Sequence, residues 1–121
     1  MKQLIAWTEI PASDIERAKR FYAGVLGVDF AEMRLGDLDY AIIVDEGRGD
    51  TAALVRGEGY EPSSAGVTIY LNGAPDMDPF LARVAANGGE VLMPKTYFSP
   101  EAGYVGYFRD SEGNRIGLQH A

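Results

Sequence analysis

Cysteine is absent from this 121-residue chain. That removes disulfides, thiol catalysis, zinc–thiolate sites and iron–sulfur clusters. Histidine is reduced to His120, beside the C-terminus. With one imidazole there and no nucleophile elbow, a serine triad has no footing. Positive charge is scarce as well: 11 Lys and Arg face 18 Asp and Glu, a net charge of −7. The basic residues are scattered singly, so the basic patch that DNA, RNA or an anionic membrane surface requires is missing. Long apolar runs are missing too. The stretch Met1–Thr8 meets a charge at Glu9, which predicts neither a signal peptide nor a membrane span and makes the cytoplasm the expected location. No glycine-rich string follows a strand in the form that cradles a dinucleotide or a phosphate.

What is present suits a single folded domain. Apolar residues make up 46% of the chain, enough for a core at this length. Leu4–Ile10 reads as a strand, which Pro11 is expected to end because proline cannot donate to a ladder. Ser13-Asp14-Ile15-Glu16 has the form of a capping box. Ile15, Ala18, Tyr22 and Val25 follow at helical spacing, and Gly27 stands where a left-handed C-terminal cap is wanted. A helix over Asp14–Leu26 is predicted. Strands are predicted over Val28–Arg34, Asp39–Asp45 and Thr51–Arg56, with a turn at Gly36-Asp37 and a polar loop over Glu46–Asp50.

After a polar stretch over Gly57–Ala65 the same order recurs. A strand is predicted over Gly66–Leu71. Next comes a helix capped at Asp78, with Pro79 in its first turn and Phe80, Leu81, Val84 and Ala85 as its apolar stripe. Asn87-Gly88-Gly89 stops it, and strands follow over Glu90–Phe98, Tyr104–Arg109 and Ile116–His120. The chain is thus expected to be one α+β domain built from two βαβββ modules, residues 1–57 and 66–121 joined by a linker over 58–65, forming a curved mixed sheet around a cavity.

Particular strings sharpen this. Glu9-Ile10-Pro11-Ala12-Ser13-Asp14-Ile15-Glu16-Arg17-Ala18-Lys19-Arg20-Phe21-Tyr22 and the following Val25-Leu26-Gly27 resemble the first strand and helix of the vicinal-oxygen-chelate superfamily, which includes glyoxalases, bleomycin-resistance proteins and dioxygenases. Asn87-Gly88-Gly89-Glu90-Val91 resembles its second helix end, and Tyr107–Leu118 its last hairpin. Within the superfamily the chain is similar to a small bacterial group related to lactoylglutathione lyase. The resemblance implies a two-module cavity, often completed by a homodimer, and a small organic molecule as partner. It covers isomerases, dioxygenases, thiol transferases and drug-sequestering proteins, so it does not by itself fix the activity.

Metalloenzymes of this superfamily place His, Gln or Glu at four cavity-facing positions. Carried over, these fall on Trp7, Ala53, Gly66 and Gly117, none of which ligates a metal through its side chain. The expectation is therefore no metal and no other cofactor. Alternation along the strands puts Trp7, Glu9, Thr68, Tyr70 and Gln119 on the cavity face. An aromatic wall with a few polar groups suits a small, partly apolar ligand. Glu9, its acidity weakened by an apolar cavity, is the candidate general base of a metal-independent lyase or isomerase step. The opposing reading pairs it with Arg56, Lys95 or Arg115 as a brace between sheets. A non-catalytic protein that sequesters a drug or toxic metabolite is the other functional reading. Lys95, Tyr97 and Tyr104 fall in a stretch read as a loop across the cavity mouth and are further candidates for ligand contact. Tyr40 and Tyr107 read as half-buried strand residues, and His120, out of phase with Gly117 and Gln119, as pointing away from the cavity.

Overall fold

The computed structural model describes residues 4–44 and 52–121. The loop expected over Glu46–Asp50 lies outside them, as do the strand-end residues Asp45 and Thr51. Strand β1 (Thr8–Pro11), helix α1 (Ile15–Leu26) and strands β2 (Asp29–Leu35), β3 (Leu38–Val44) and β4 (Ala52–Arg56) make the first module. Strand β5 (Ile69–Asn72), helix α2 (Asp78–Val84) with a 3-10 turn at Ala85–Asn87, and strands β6 (Glu90–Ser99), β7 (Gly103–Arg109) and β8 (Arg115–His120) make the second. Each module carries one mixed four-stranded sheet, ordered β1-β4-β3-β2 and β5-β8-β7-β6. The first and last strands of each module run parallel, and the other pairs are antiparallel hairpins.

Local chemistry explains most boundaries. Gly27 ends α1 in the left-handed region at φ 72°, and its N–H returns to the Ala23 carbonyl. At the other end the helix is not closed by the expected capping box. Asp14 is the cap and accepts from the Arg17 N–H at 3.0 Å. The Ser13 and Asp14 N–H groups both donate to Glu112 Oε1, at 2.9 and 2.8 Å, across most of the chain's length. Likewise Asp78 is the first residue of α2 rather than its cap, its N–H donating to Asp76 Oδ1 at 3.0 Å. Pro11 is the last residue of β1, paired with Val55, so the strand stops at the proline as expected. An edge strand tolerates a paired proline, because one row of its N–H groups has no partner strand. The fifth strand begins at Ile69 rather than Gly66, whose φ of 91° is not a strand conformation.

The two modules share one core on the helix side of their sheets. Ile10, Leu54 and Ala41 from the first sheet meet Phe108, Ile116 and Leu118 from the second around Phe21, Tyr22 and Val25 of α1 and Leu81 and Val84 of α2. The Phe21 and Phe108 rings lie 5.8 Å apart across the module boundary. Polar contacts cross the same boundary. Arg83 of α2 donates twice to the Val25 carbonyl near the end of α1. Asn114 Nδ2 donates to the Pro11 carbonyl at 2.8 Å, and the buried Tyr22 hydroxyl donates to Asp110 Oδ2 at 2.6 Å. The turn between β7 and β8 thus clamps the first module at β1 and at α1. In this chain the modules therefore pair with one another through their helices.

Candidate ligand-binding site

Because side chains alternate along a strand, the face away from the helices collects every second residue. In the first sheet these are Glu9, Ala53, Ile42 and Tyr40, with Glu9, Ala53 and Ile42 standing side by side in register. In the second they are Tyr70, Gly117 and Tyr107, again side by side, then Asn72, Gln119 and Val105. Trp7 and Thr68 each lie just ahead of an edge strand, in phase with Glu9 and Tyr70.

Two clusters form on this face. In the first, Trp7 Nε1 donates to Glu9 Oε2 at 3.3 Å and the Tyr60 hydroxyl donates to Glu9 Oε1 at 2.6 Å. The Tyr60 bond holds the Glu9 carboxyl below the usual carboxylate range; partial burial opposes this, and Tyr40 and Trp7 reinforce it. The Tyr60 phenol is pushed well up by donating to that carboxylate and by Tyr40. This corrects the expectation that Glu9 becomes a weaker acid, since hydrogen-bond donors outweigh desolvation there. In the second cluster the Tyr70 and Tyr107 hydroxyls are hydrogen bonded to each other. Arg115 Nη2 donates to Thr68 Oγ1 at 2.6 Å, and its guanidinium lies 5.0 Å from the centre of the Tyr107 ring. A cleft of about 240 Å³ touches each cluster at one residue, Glu9 of the first and Arg115 of the second, with Glu61 and Val67 also in its wall.

The remaining candidates are placed elsewhere. Lys95 and Tyr97 lie in β6 and Tyr104 in β7, so they belong to a hairpin and not to a loop over a cavity. Their side chains turn to the helix side of the second sheet. Lys95 Nζ is bound by Asp76 at 3.0 Å and Asp78 at 3.2 Å, which raise its pKa. Tyr104 packs edge-on to Tyr97 and against the buried His120. Gln119 stays on the ligand face, but its amide donates to the Ala102 carbonyl at the end of the sheet. The braces considered for Glu9 do not form: Arg56 pairs with Asp39, Lys95 with the two aspartates, and Arg115 with Thr68. Tyr60, the strongest partner of Glu9, lies in the stretch expected to be a linker. The sequence signal for it is a lone tyrosine in a Gly- and Pro-containing stretch.

The residues present do not fit a chelated divalent ion on this face. Ala53 is a fully buried methyl group beside Glu9. A Cβ at Gly117 would lie 2.5 Å from Tyr70 Cδ2, so the tyrosine ring already occupies the space a ligating side chain would need. Trp7 offers an indole, and Gly66 offers no side chain. Among the described residues no group of three or more His, Asp or Glu is gathered as a ligand set. One carboxylate supplies two oxygens, too few for tight binding of such an ion. Among the same residues no helix is long and apolar enough to cross a membrane.

Two mixed sheets in βαβββ order, with a cleft flanked by their edge strands, define a glyoxalase-like domain. Residues 4–118 match the family model for the glyoxalase/bleomycin resistance protein/dioxygenase superfamily, and the chain belongs to that superfamily. A glyoxylase-like domain-containing protein from Didymella fabae is 29% identical over 91% of this chain and 88% of its own. Among solved structures, a glyoxylase/bleomycin resistance protein/dioxygenase domain from Frankia sp. EAN1pec is similar with a TM-score of 0.74 at 17% identity, covering 98% of this chain and 92% of that one. A fosfomycin resistance protein from Listeria monocytogenes is similar with a TM-score of 0.68 at 14% identity, covering 100% and 93%. At these identities the structural likenesses speak for the fold alone.

Proposed function

We propose that this chain binds a small organic molecule on the sheet face carrying Trp7, Glu9, Tyr60 and Tyr70, without a resident metal, and acts by holding that molecule. The observation that carries the reading is the Glu9 carboxylate held by neutral aromatic donors. Such a group is a fixed, ionised acceptor rather than a poised base. Binding therefore has more support than the lyase or isomerase step with Glu9 as general base, because the Tyr60 bond makes the carboxylate less basic than a free one. The aromatic lining fits a ligand that is partly apolar and flat.

A thermal-shift screen of the whole chain against small metabolites and antibiotics tests this, since a ligand that binds only the folded state raises the melting temperature. A hit is expected to change the fluorescence of Trp7, the only tryptophan, and to be consumed by neither the parent nor Glu9→Gln. Turnover of a hit by the parent and not by Glu9→Gln would replace sequestration with catalysis. A screen in which no hit perturbs Trp7 would remove the face from consideration.

A further inference from the structure

Resting on that reading, we infer that the face selects an organic cation, an alkylammonium or protonated amine, with Glu9 as its counter-charge and the rings of Trp7, Tyr40 and Tyr60 as its walls. Glu9 is the starting point. Its hydrogen-bond partners are neutral: an indole N–H and a phenol O–H. Among the described residues no Lys, Arg or His nitrogen is paired with it, while Arg34 and Arg56 share Asp39 and Lys95 shares Asp76 and Asp78. Among the described residues the negative charge is therefore held by neutral donors alone, with no cationic side chain paired to it.

The rings around it are arranged for the complementary charge. Trp7 presents its N–H edge to the carboxylate, and the residue is 39% exposed, so the indole face is open to a ligand. Tyr60 and Tyr40 are half-buried; Tyr60 donates to the same carboxylate, and Tyr40 shares its sheet face. Aromatic faces attract cations through the ring quadrupole, and an acid set among them adds a full charge. The adjoining cleft carries a second carboxylate, Glu61. Its one guanidinium, Arg115, is committed to Thr68 and to the Tyr107 ring. A ligand anion would meet two carboxylates against that one guanidinium, a lining that is net negative. At about 240 Å³ the cleft falls below the roughly 300–1,000 Å³ of drug-sized sites, which favours a headgroup over a large molecule.

The experiment compares shape-matched probes of different charge. Trp7 fluorescence of the whole chain is titrated at neutral pH with choline, with its uncharged carbon isostere 3,3-dimethylbutan-1-ol, and with benzylamine against benzyl alcohol and benzoate. Each cation is expected to bind about tenfold or more tighter than its uncharged partner, and Glu9→Gln to abolish that preference. Should Glu9→Gln not fold, ionic strength gives the same answer: raising salt to about 0.5 M should weaken the cations and leave the alcohols unchanged. Equal binding of cation and isostere, or tighter binding of benzoate, would overturn the inference and leave the small-molecule reading standing. So would cations that fail to bind while the wider screen yields a neutral or anionic ligand. Silence from every probe and from the wider screen would sink both.

Discussion

Replacing Gly117 by alanine adds one methyl group where Tyr70 already sits. The new Cβ would lie 2.5, 2.7 and 3.0 Å from Cδ2, Cε2 and Cγ of that ring. Carbon atoms in contact settle at about 3.5–4.0 Å, so the overlap approaches 1 Å. Cγ is fixed by the first side-chain torsion, and the ring cannot slide away at its tip alone. It must rotate out, giving up the Tyr107 hydroxyl bond and a ring pair with centroids 5.7 Å apart. Those two contacts are worth roughly 0.5–1.5 kcal/mol each. Gly117 is not in the left-handed region, so alanine also restricts the unfolded chain and returns about 0.4–1 kcal/mol. The net cost is about 1–2 kcal/mol, a fall of roughly 5 °C in melting temperature for a domain of this size. Urea unfolding of Gly117→Ala, Tyr70→Ala and the double variant measures it. In the Tyr70→Ala background the alanine should cost nothing or stabilise slightly, giving a coupling of about 1 kcal/mol. An equal cost in both backgrounds would show that the ring does not fill that space, and with it the argument against a ligating side chain there would fail.

Two further outcomes follow from the clamp between modules. Tyr22→Phe removes a 2.6 Å bond to a carboxyl that is 2% exposed and should destabilise by about 2 kcal/mol in urea unfolding; a change below about 0.5 kcal/mol would contradict the clamp. Glu112, whose side chain is 1% exposed, is driven up by burial, yet Arg17, the Asp14 N–H, Ser111 and the Ser13 N–H together hold its pKa below the usual value. A depressed carboxylate stabilises the fold above its unfolded value of about 4.3, and that contribution is lost as pH falls through the folded value. Glu112→Gln should therefore cost about 1–2 kcal/mol at pH 7 and flatten the acid limb of stability below about pH 5. An unchanged acid limb would remove Glu112 as its source.

The legible part of the fold was local. The order of elements, the Gly27 cap and the second module's repetition of the first could all be read from periodicity and turn residues, because each depends on neighbours in the chain. What escaped was long-range. Glu112 replaces the expected capping box because the hairpin between β7 and β8 folds back onto α1. No pattern within Ser13–Glu16 reveals that. Parity placed Trp7, Glu9, Thr68 and Tyr70 on one face, since alternation is a property of the strand itself. Lys95, Tyr97 and Tyr104 were not reached by parity, because Pro and Gly make their stretch read as a loop although it pairs, with irregular register, as the hairpin of β6 and β7. Tyr60 was hidden because nothing in a linker predicts which strand residue it will reach.

The central claim is that the ligand face is built for an organic molecule and not for a chelated ion. Calorimetric titration of the chelator-stripped chain with Ni²⁺, Zn²⁺ and Mn²⁺, repeated on Glu9→Gln, tests it most directly. The account predicts no Glu9-dependent binding tighter than about 1 mM, the weak end of oxygen-ligand sites. One equivalent bound at micromolar affinity in the parent, and lost in Glu9→Gln, would contradict it.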